Sequence, residues 1–521
     1  ALSASRRAGR EHKHEGTDVK SQPEFPSLDE YLREALDDQQ RLSIGLLTFN
    51  QWPFALGAVS ETALAAQAIG ARVTVGFWSG RTPLYDTGWM SSRTVASALR
   101  SPTMDQRAEQ ALRAAGLPAD CFVKPPIKHW SSEHLPPTPE PLTRSRIRAL
   151  EYKGSDMGRS LLQVHPDFNT PISDDHVWPR RWIERAMRSY AWVYDQTTAL
   201  VQQRQLGTVV VYNGRFTHDR AVAAAAEAQG AEVLYYDTGG YDTDFDLTDA
   251  TTHDWAHLQG RMLRMYEAWD PSDRDQIGSS WFVNRQTHAD ANNAVFVGEQ
   301  QRGHLEGVPE AEQLVVFFSS SGDEIVELDL DWEEYLHSQE NALAELAAAC
   351  GQRPGTALVV RTHPHMRLKP QRDLEEWVAA VEAAHPAVHF DPFSPIDSYA
   401  LMREADIVFT YGSTSGVEAA YIGKPVVVMG PSAYDELGCA TRISRAGDIE
   451  ALLSKPPEPN PQASIPYGLM MQRRGFNYER VSKTESGQPQ LAGVVMCEPS
   501  ANVQKLSDVI RSRWTKWLTA K

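Results

Sequence analysis

Two stretches concentrate the residue types that handle phosphate. In "YGSTSG", Ser413, Thr414 and Ser415 lie between Gly412 and Gly416, after the apolar run Ile407 to Thr410 and ahead of an alanine-containing run from Val417. If a strand ends here and a helix starts near Val417, unpaired backbone N–H groups point outward from the turn, with the positive end of the helix dipole behind them. The two glycines then let backbone approach an anion, and the three hydroxyls add donors. Ser415 followed by Glu418 also spells a capping box, which would use those donors on the helix itself. The stretch is not a hydrolase elbow, because Thr414 stands where GxSxG needs serine. Nor is it a P-loop or dinucleotide fingerprint, since Pro425 follows Lys424 and no GxGxxG opens the helix.

The second stretch is "VVRTHPH", where a strand ends in Arg361, His363 and His365. With the usual strand order it would lie side by side with the serine-rich turn, so that an imidazole and a guanidinium face a second phosphate oxygen. The two histidines lack neighbouring carboxylate or cysteine partners, so no metal site is expected. In "HFDPFSPIDSYA", Ser394 reads as an N-cap with Pro395 at the first helical position and Asp397 at the third, bordering the same cleft, where backbone groups would meet a nucleobase.

Upstream, Asp237 follows the strand "VLYY" and precedes Gly239 and Gly240, while Asn213, Gly214 and Arg215 follow "VVVY". A carboxylate at a strand end is a candidate general base for an acceptor hydroxyl. The downstream "YDTDFDLTD" offers a DxD metal motif or, more simply, a solvated acidic loop; Leu247 and His253 rule out a calcium loop. In "TFNQWPFALGAVSET", Gly57 would admit an acceptor close to backbone, and Trp52 and Phe54 would either stack on a sugar ring or join the core.

The elements that must position these residues follow from periodicity. "RLSIGLLTFN" with its alanine-rich helix and "RVTVGFW" make one β-α-β unit, and "GTVVVYNGRFTHDRAVAAAAEAQGAEVLYYDTGG" makes another. From about residue 313 four strands alternate with helices, the pattern of a doubly wound sheet. The expected fold is α/β and GT-B-like, two doubly wound Rossmann-like domains facing across a cleft. Expected boundaries are a disordered arm at 1–24, an acceptor-side domain at 25–285 with a mostly helical insertion at 79–205, a nucleotide-sugar domain at 286–455, and a Pro-rich linker with a C-terminal helix at 456–521. Ligands of such sheets sit beyond the carboxyl ends of the strands.

Composition narrows the field. The chain has 521 residues and a formal charge of −17, which argues against a general nucleic-acid or anionic-membrane binder. Its 4 cysteines are widely separated, so a cytoplasmic setting without a disulfide framework is expected. No apolar run suffices to span a bilayer.

The stretch "SPIDSYALMREADIVFTYGSTSGVEAAYIGKPVVV" resembles the C-terminal half of GT-B glycosyltransferases of the capsule and surface-polysaccharide type. "VVFFSSSGDE", "RTHPH", "YNGRF" and "YKGSDMG" look like further landmarks of that group. The resemblance implies a nucleotide-sugar donor, CMP-, UDP- or GDP-linked, bound by the second domain, with no other cofactor and no metal. It also implies a glycan or glycolipid acceptor on the first domain, in the cytoplasm or at the inner face of the membrane.

By resemblance to families using CMP-activated sugars, the acidic-Gly motif falls on Asp237 with Gly239, the HP motif on His363 with Pro364, and the Ser-rich motif on Ser413 with Ser415. Thr238 departs from the second acid of that pattern, and Glu418 matches the ribose-binding Glu of UDP- and GDP-sugar enzymes. A nucleotide-sugar 2-epimerase, a CDP-alditol phosphotransferase and a non-catalytic nucleotide-sugar sensor are the alternatives on the same residues.

Overall fold

The computed structural model describes residues 27–36, 42–49, 52–78, 82, 94–163, 176–240, 243–252, 254–287, 298, 300–321, 336, 338–369 and 371–497. The expected N-terminal arm and the C-terminal helix from Val503 onward lie outside these.

A first sheet is built from the two β-α-β units. Its strands are β1 (Ser43–Thr48), β2 (Arg72–Phe77), β3 (Thr208–Tyr212), β4 (Glu232–Thr238) and β5 (Asp244–Thr248). Their order is β2-β1-β3-β4-β5; the first four are parallel and β5 runs antiparallel to β4. β-branched and aromatic residues fill the pleat, and both faces are covered, as a parallel sheet requires. Helices α1 (Leu28–Ala35), α2 (Pro53–Ala68) and α3 (Thr94–Ala114) cover one face, and α4 (Arg180–Arg204) and α5 (Thr217–Glu227) the other. The insertion is less helical than expected: among the described residues between α3 and α4, Pro-rich loops carry two short helices, Arg144–Arg148 and Gly158–Leu162, a 3-10 turn at Ala119–Cys121 and a small hairpin, Glu151–Tyr152 with Ser155–Asp156.

Helices α6 (Trp255–Ala268) and α7 (Arg274–Gln286) lead to the second sheet. That sheet comprises β6 (Gln313–Phe318), β7 (Thr356–Arg361), β8 (Val388–Phe390), β9 (Ile407–Thr410), β10 (Val426–Val428) and β11 (Thr441–Arg442), all parallel, in the order β8-β7-β6-β9-β10-β11. Numbered within the sheet this is 3-2-1-4-5-6, whose switch point falls between β6 and β9. Helices α8 (Gln339–Gly351), α9 (Gln371–Ala384), α10 (Ser398–Glu404) and α11 (Ser415–Tyr421) connect strands of the sheet, and α12 (Gly447–Ser454) follows β11.

After α12 the chain returns to the first sheet. Helix α13 (Ile465–Arg473) packs on α6 and α7, and β12 (Phe476–Asn477) pairs antiparallel with β5 at the edge of the first sheet. A small three-stranded sheet over residues 482–495 then rests on α2 and α3. Among the described residues no helix is long and apolar enough to cross a membrane, and none of the four cysteines is in a disulfide.

Candidate active site

A cavity of about 440 Å³ opens at the switch point of the second sheet. Strand β7 is not the neighbour of β9, as the simplest strand order would have it; β6 lies between them. The loop after β6 therefore contributes Ser320 and Ser321 to the cavity, flanked by His363 and His365 from β7 and by Gly412 to Ser415 from β9. Trp255 and Met262 of α6, Trp281 and Arg285 of α7, and Tyr467, Met471 and Arg474 of the returning segment complete the lining.

His363 is held in one orientation. Its backbone N–H donates to the Ser319 hydroxyl at 2.8 Å, and its Nδ1 accepts the His365 N–H at 3.1 Å. With Nδ1 acting as acceptor, the neutral ring carries its proton on Nε2.

The serine-rich turn departs from the expected geometry. Helix α11 begins at Ser415 with Thr414 as N-cap, and no side chain caps it. Instead the Ser413 hydroxyl accepts the Ser415 N–H at 3.3 Å, and the Ser413 carbonyl accepts the Gly416 N–H at 3.0 Å. Two of the donors expected to face an anion are therefore satisfied within the turn. The Ser413 hydroxyl donates to the Ser415 hydroxyl at 3.2 Å, which leaves the Ser415 proton available to the cavity beside the exposed Thr414.

The glycines have internal uses. Gly412 has φ +79°, and a Cβ there would sit 2.1 Å from the Pro431 carbonyl; at Gly416 a Cβ would meet the Tyr434 hydroxyl at 2.1 Å. Gly416 does not line the cavity: its bare Cα makes room for Tyr434, whose hydroxyl donates to the Ser413 carbonyl at 2.6 Å.

Glu418 is neither a helix cap nor free. It is buried and accepts from the Arg285 Nε and, at 3.2 Å, from the Tyr399 hydroxyl. Burial alone would depress the Arg285 guanidinium; the Glu418 carboxylate more than reverses that and keeps it charged. Arg285 also lies over the Trp281 ring at 4.7 Å.

Other expected residues lie elsewhere. Arg361 is buried with its Nη1 on the Asp391 carbonyl, away from the cavity, and burial lowers its pKa to about 10. Ser394 does not line the cavity, and α10 is capped by Asp397, which accepts the Tyr399 and Ala400 N–H groups at 2.9 and 3.2 Å. The carboxylate is the stronger acceptor, so it takes the helix start. Gly57 lies inside α2, where its missing side chain accommodates the Tyr478 ring, 3.1 Å from an ideal Cβ; it is a packing position rather than an acceptor contact. Trp52 and Phe54 pack against Tyr212, each at 5.6 Å. The acidic stretch is a strand, not a loop, and Asp246 within it is paired with Arg261 at 2.6 and 2.7 Å.

At the carboxyl edge of the first sheet the structure brings Asp237, Asn213 and Arg215 together. The Asn213 amide donates to Asp237 at 2.5 Å and to Thr252 at 3.1 Å, and the Thr238 N–H donates to Asp237 at 2.7 Å. Asn213 takes φ 48°, a left-handed conformation that asparagine tolerates. Burial raises the Asp237 pKa, against the opposing pull of the Thr238 N–H, Asn213, Arg474 and Arg215. These three residues do not line the 440 Å³ cavity.

A second cavity of about 420 Å³ adjoins this cluster, lined by Gly214, Tyr235, Arg220 and the 153–156 turn of "YKGSDMG". Tyr235 lies two positions before Asp237 on β4, so both project from the same face of the sheet.

Residues absent from the sequence reading are Ser320, Arg285, Tyr434, Tyr467 and Arg474. The "SSSG" run after β6 flagged the first only as a landmark. For α13, Pro466 near its start and Gly475 just past its end, with φ +105°, were readable helix signals. Among the described residues no group of three or more His, Cys, Asp or Glu side chains converges to hold a metal.

No curated protein sequence matches the chain. Among solved structures, similarity is found to Thermosulfurimonas dismutans KpsC, the beta Kdo 2,4 transferase, at 13% identity and TM-score 0.35 over 55% of this chain and 84% of that one. The beta Kdo 2,7 transferase of the same KpsC gives 13% identity and TM-score 0.34 over 60% and 89%. UDP-GlcNAc 2-epimerase of Methanocaldococcus jannaschii gives 11% and 0.28 over 81% and 97%. Residues 314–479 match the family model described as capsule polysaccharide biosynthesis protein. That span carries nearly all of the second sheet, the serine-rich turn, His363 and Arg474, so the likeness to capsule polysaccharide biosynthesis proteins rests on this part of the chain.

Proposed function

We propose that the protein is a glycosyltransferase that takes a nucleotide sugar in the switch-point cavity and transfers the sugar to a glycan acceptor held on the first sheet. The observation that carries this reading is the set of donors converging on one cavity: His363 with its proton on Nε2, the Thr414 and Ser415 hydroxyls, and Ser320, whose Oγ is buried with no partner among the described residues. An unpaired buried hydroxyl is costly unless a ligand completes it. Hydroxyl and imidazole donors fixed before the reaction suit an oxygen that gains charge as the sugar–phosphate bond breaks.

In this reading Asp237 takes the acceptor hydroxyl proton, the acceptor oxygen bonds to the anomeric carbon, and the electron pair of the breaking bond leaves on the donor phosphate. Glu418, tied to Arg285 and Tyr399, offers its carboxylate to ribose hydroxyls. The second cavity, beside Gly214 and Tyr235, gives the acceptor saccharide room next to Asp237. No metal is required, so transfer should be unchanged by EDTA.

Thermal shift with CMP, UDP, GDP, CDP and ADP tests the donor class, because a ligand of the folded state raises apparent stability. At least one should raise the midpoint, and no response to any would sink the reading. Incubation with the responding nucleotide's sugar alone then separates the chemistries: slow hydrolysis fits a transferase, and an altered sugar fits an epimerase. The His363→Ala variant should lose about 10²–10³-fold in rate while still binding nucleotide.

A further inference from the structure

Arg474 is the residue that the proposed donor chemistry leaves unused. It follows helix α13 and lines the 440 Å³ cavity together with Tyr467 and Met471 of the same segment. Its backbone is fixed at both ends, with its N–H on the Met470 carbonyl at 2.8 Å and its C=O accepting the Gly240 N–H at 3.1 Å. The residue is thereby clamped beside the loop that follows Asp237. Its Nε is buried and has no hydrogen-bond partner among the described residues.

A counter-ion role does not account for it. Among the described residues, Asp237 and Asp246 are the carboxylates whose titration feels its charge. Yet Asp246 is already held by both ends of the Arg261 guanidinium, at 2.6 and 2.7 Å, and Asp237 by Asn213 and the Thr238 N–H. Neither accepts from Arg474. A guanidinium that lines a cavity and carries an unfilled N–H matches an anionic oxygen pair better than a neutral hydroxyl.

We infer that Arg474 binds an anionic group of the donor other than the phosphate met by Ser415 and His363, on the side of the cavity facing Asp237. This rests on the nucleotide-sugar reading above. Two sources share that chemistry, the second phosphate of a nucleoside diphosphate and a carboxylate on the sugar. In either case Arg474 ties the donor to the part of the chain that carries the candidate base.

The test measures the dissociation constants of UMP, UDP, CMP and CMP-N-acetylneuraminate for the full chain and for Arg474→Gln and Arg474→Lys. For Arg474→Gln the monophosphates should bind within about twofold of the unsubstituted protein. One larger ligand should lose about tenfold or more, as expected for a charged hydrogen bond. Loss confined to UDP assigns the second phosphate, and loss confined to CMP-N-acetylneuraminate assigns the sugar carboxylate. Arg474→Lys keeps the charge but lacks the Nε donor, so it should lose less for the same ligand; it also carries the test if the glutamine variant does not fold. Equal losses for all four ligands, or none, would overturn the assignment while leaving the nucleotide reading intact. If the unsubstituted protein responds only to CDP, GDP or ADP, the same comparison is made between that diphosphate and its monophosphate; if it binds no nucleotide at all, both fall together.

Discussion

At the scale of single residues, the cavity is governed by groups whose partners determine what they can still do. Glu418 and Arg285 form a buried pair, their side chains 5% and 14% exposed. Glu418→Ala removes the close counter-charge of a buried guanidinium, so it should lower stability by about 3–5 kcal/mol, whereas the double variant with Arg285→Met should recover much of it. Denaturant midpoints of the three proteins check this; equal midpoints for the single and double variants would count against a tightly coupled pair. Asp237 gives a pH prediction. As a base it works only when ionised, and burial raises its pKa, so transfer should fail on the acid side at a higher pH than for an exposed carboxylate. Asn213 donates to the ionised form and so opposes that rise. Asn213→Gly suits the left-handed backbone and removes this donor, so the acid limb of kcat/KM should move further up. A limb that stayed in place, or moved down, would remove Asp237 as the titrating base.

At the scale of elements, the serine-rich turn is shaped from behind. Tyr434 is fully buried, and its hydroxyl reaches the Ser413 carbonyl only because Gly416 has no side chain. Tyr434→Phe keeps the ring and loses about 1 kcal/mol of hydrogen bonding. Gly416→Ala forces the ring itself to move, so it should weaken nucleotide binding well beyond the phenylalanine variant, as titration with the responding nucleotide would show; comparable affinities would mean that Tyr434 does not hold the turn. The same turn marks what the sequence could reveal. Alternating apolar strands and alanine-rich helices announced both sheets, and strand-end residues such as His363, Ser413 and Asp237 could be named because a parallel sheet brings its carboxyl edges together. Gly416 and Gly57 were misread because the atoms that need their bare Cα, in Tyr434 and Tyr478, come from distant segments. Arg361 was misread because alternation along a strand does not say whether its side chain turns to the cavity or to a neighbouring carbonyl. Arg285 and Arg474 sit near helix ends, where an arginine has no local signature to distinguish a cavity wall from solvent.

At the scale of the whole molecule, the cavity exists because the chain comes back. Helix α13 supplies Tyr467 and Met471, Arg474 follows it, and β12 then joins the first sheet, so one wall of the switch-point cavity hangs on how firmly the return is anchored. The anchor is Glu61 on α2, fully buried, which accepts the Arg480 and Val481 N–H groups at 2.9 and 2.8 Å and the Arg480 guanidinium at 3.1 Å. Asp29 holds the other side of that guanidinium at 2.7 Å but is partly exposed. Glu61→Ala leaves two buried backbone donors without their acceptor and the Arg480 guanidinium with Asp29 in place of two carboxylates, so it should cost about 3–5 kcal/mol, against under about 1 kcal/mol for Asp29→Asn. Because the anchor lies only six residues beyond Arg474, the loss should reach the cavity: amide exchange across 465–481 should quicken and nucleotide affinity should fall in Glu61→Ala, with Asp29→Asn near the starting values. A destabilised Glu61→Ala protein whose exchange over 465–474 and nucleotide affinity were both unchanged would instead show that the packing of α13 on α6 and α7 fixes the cavity wall by itself.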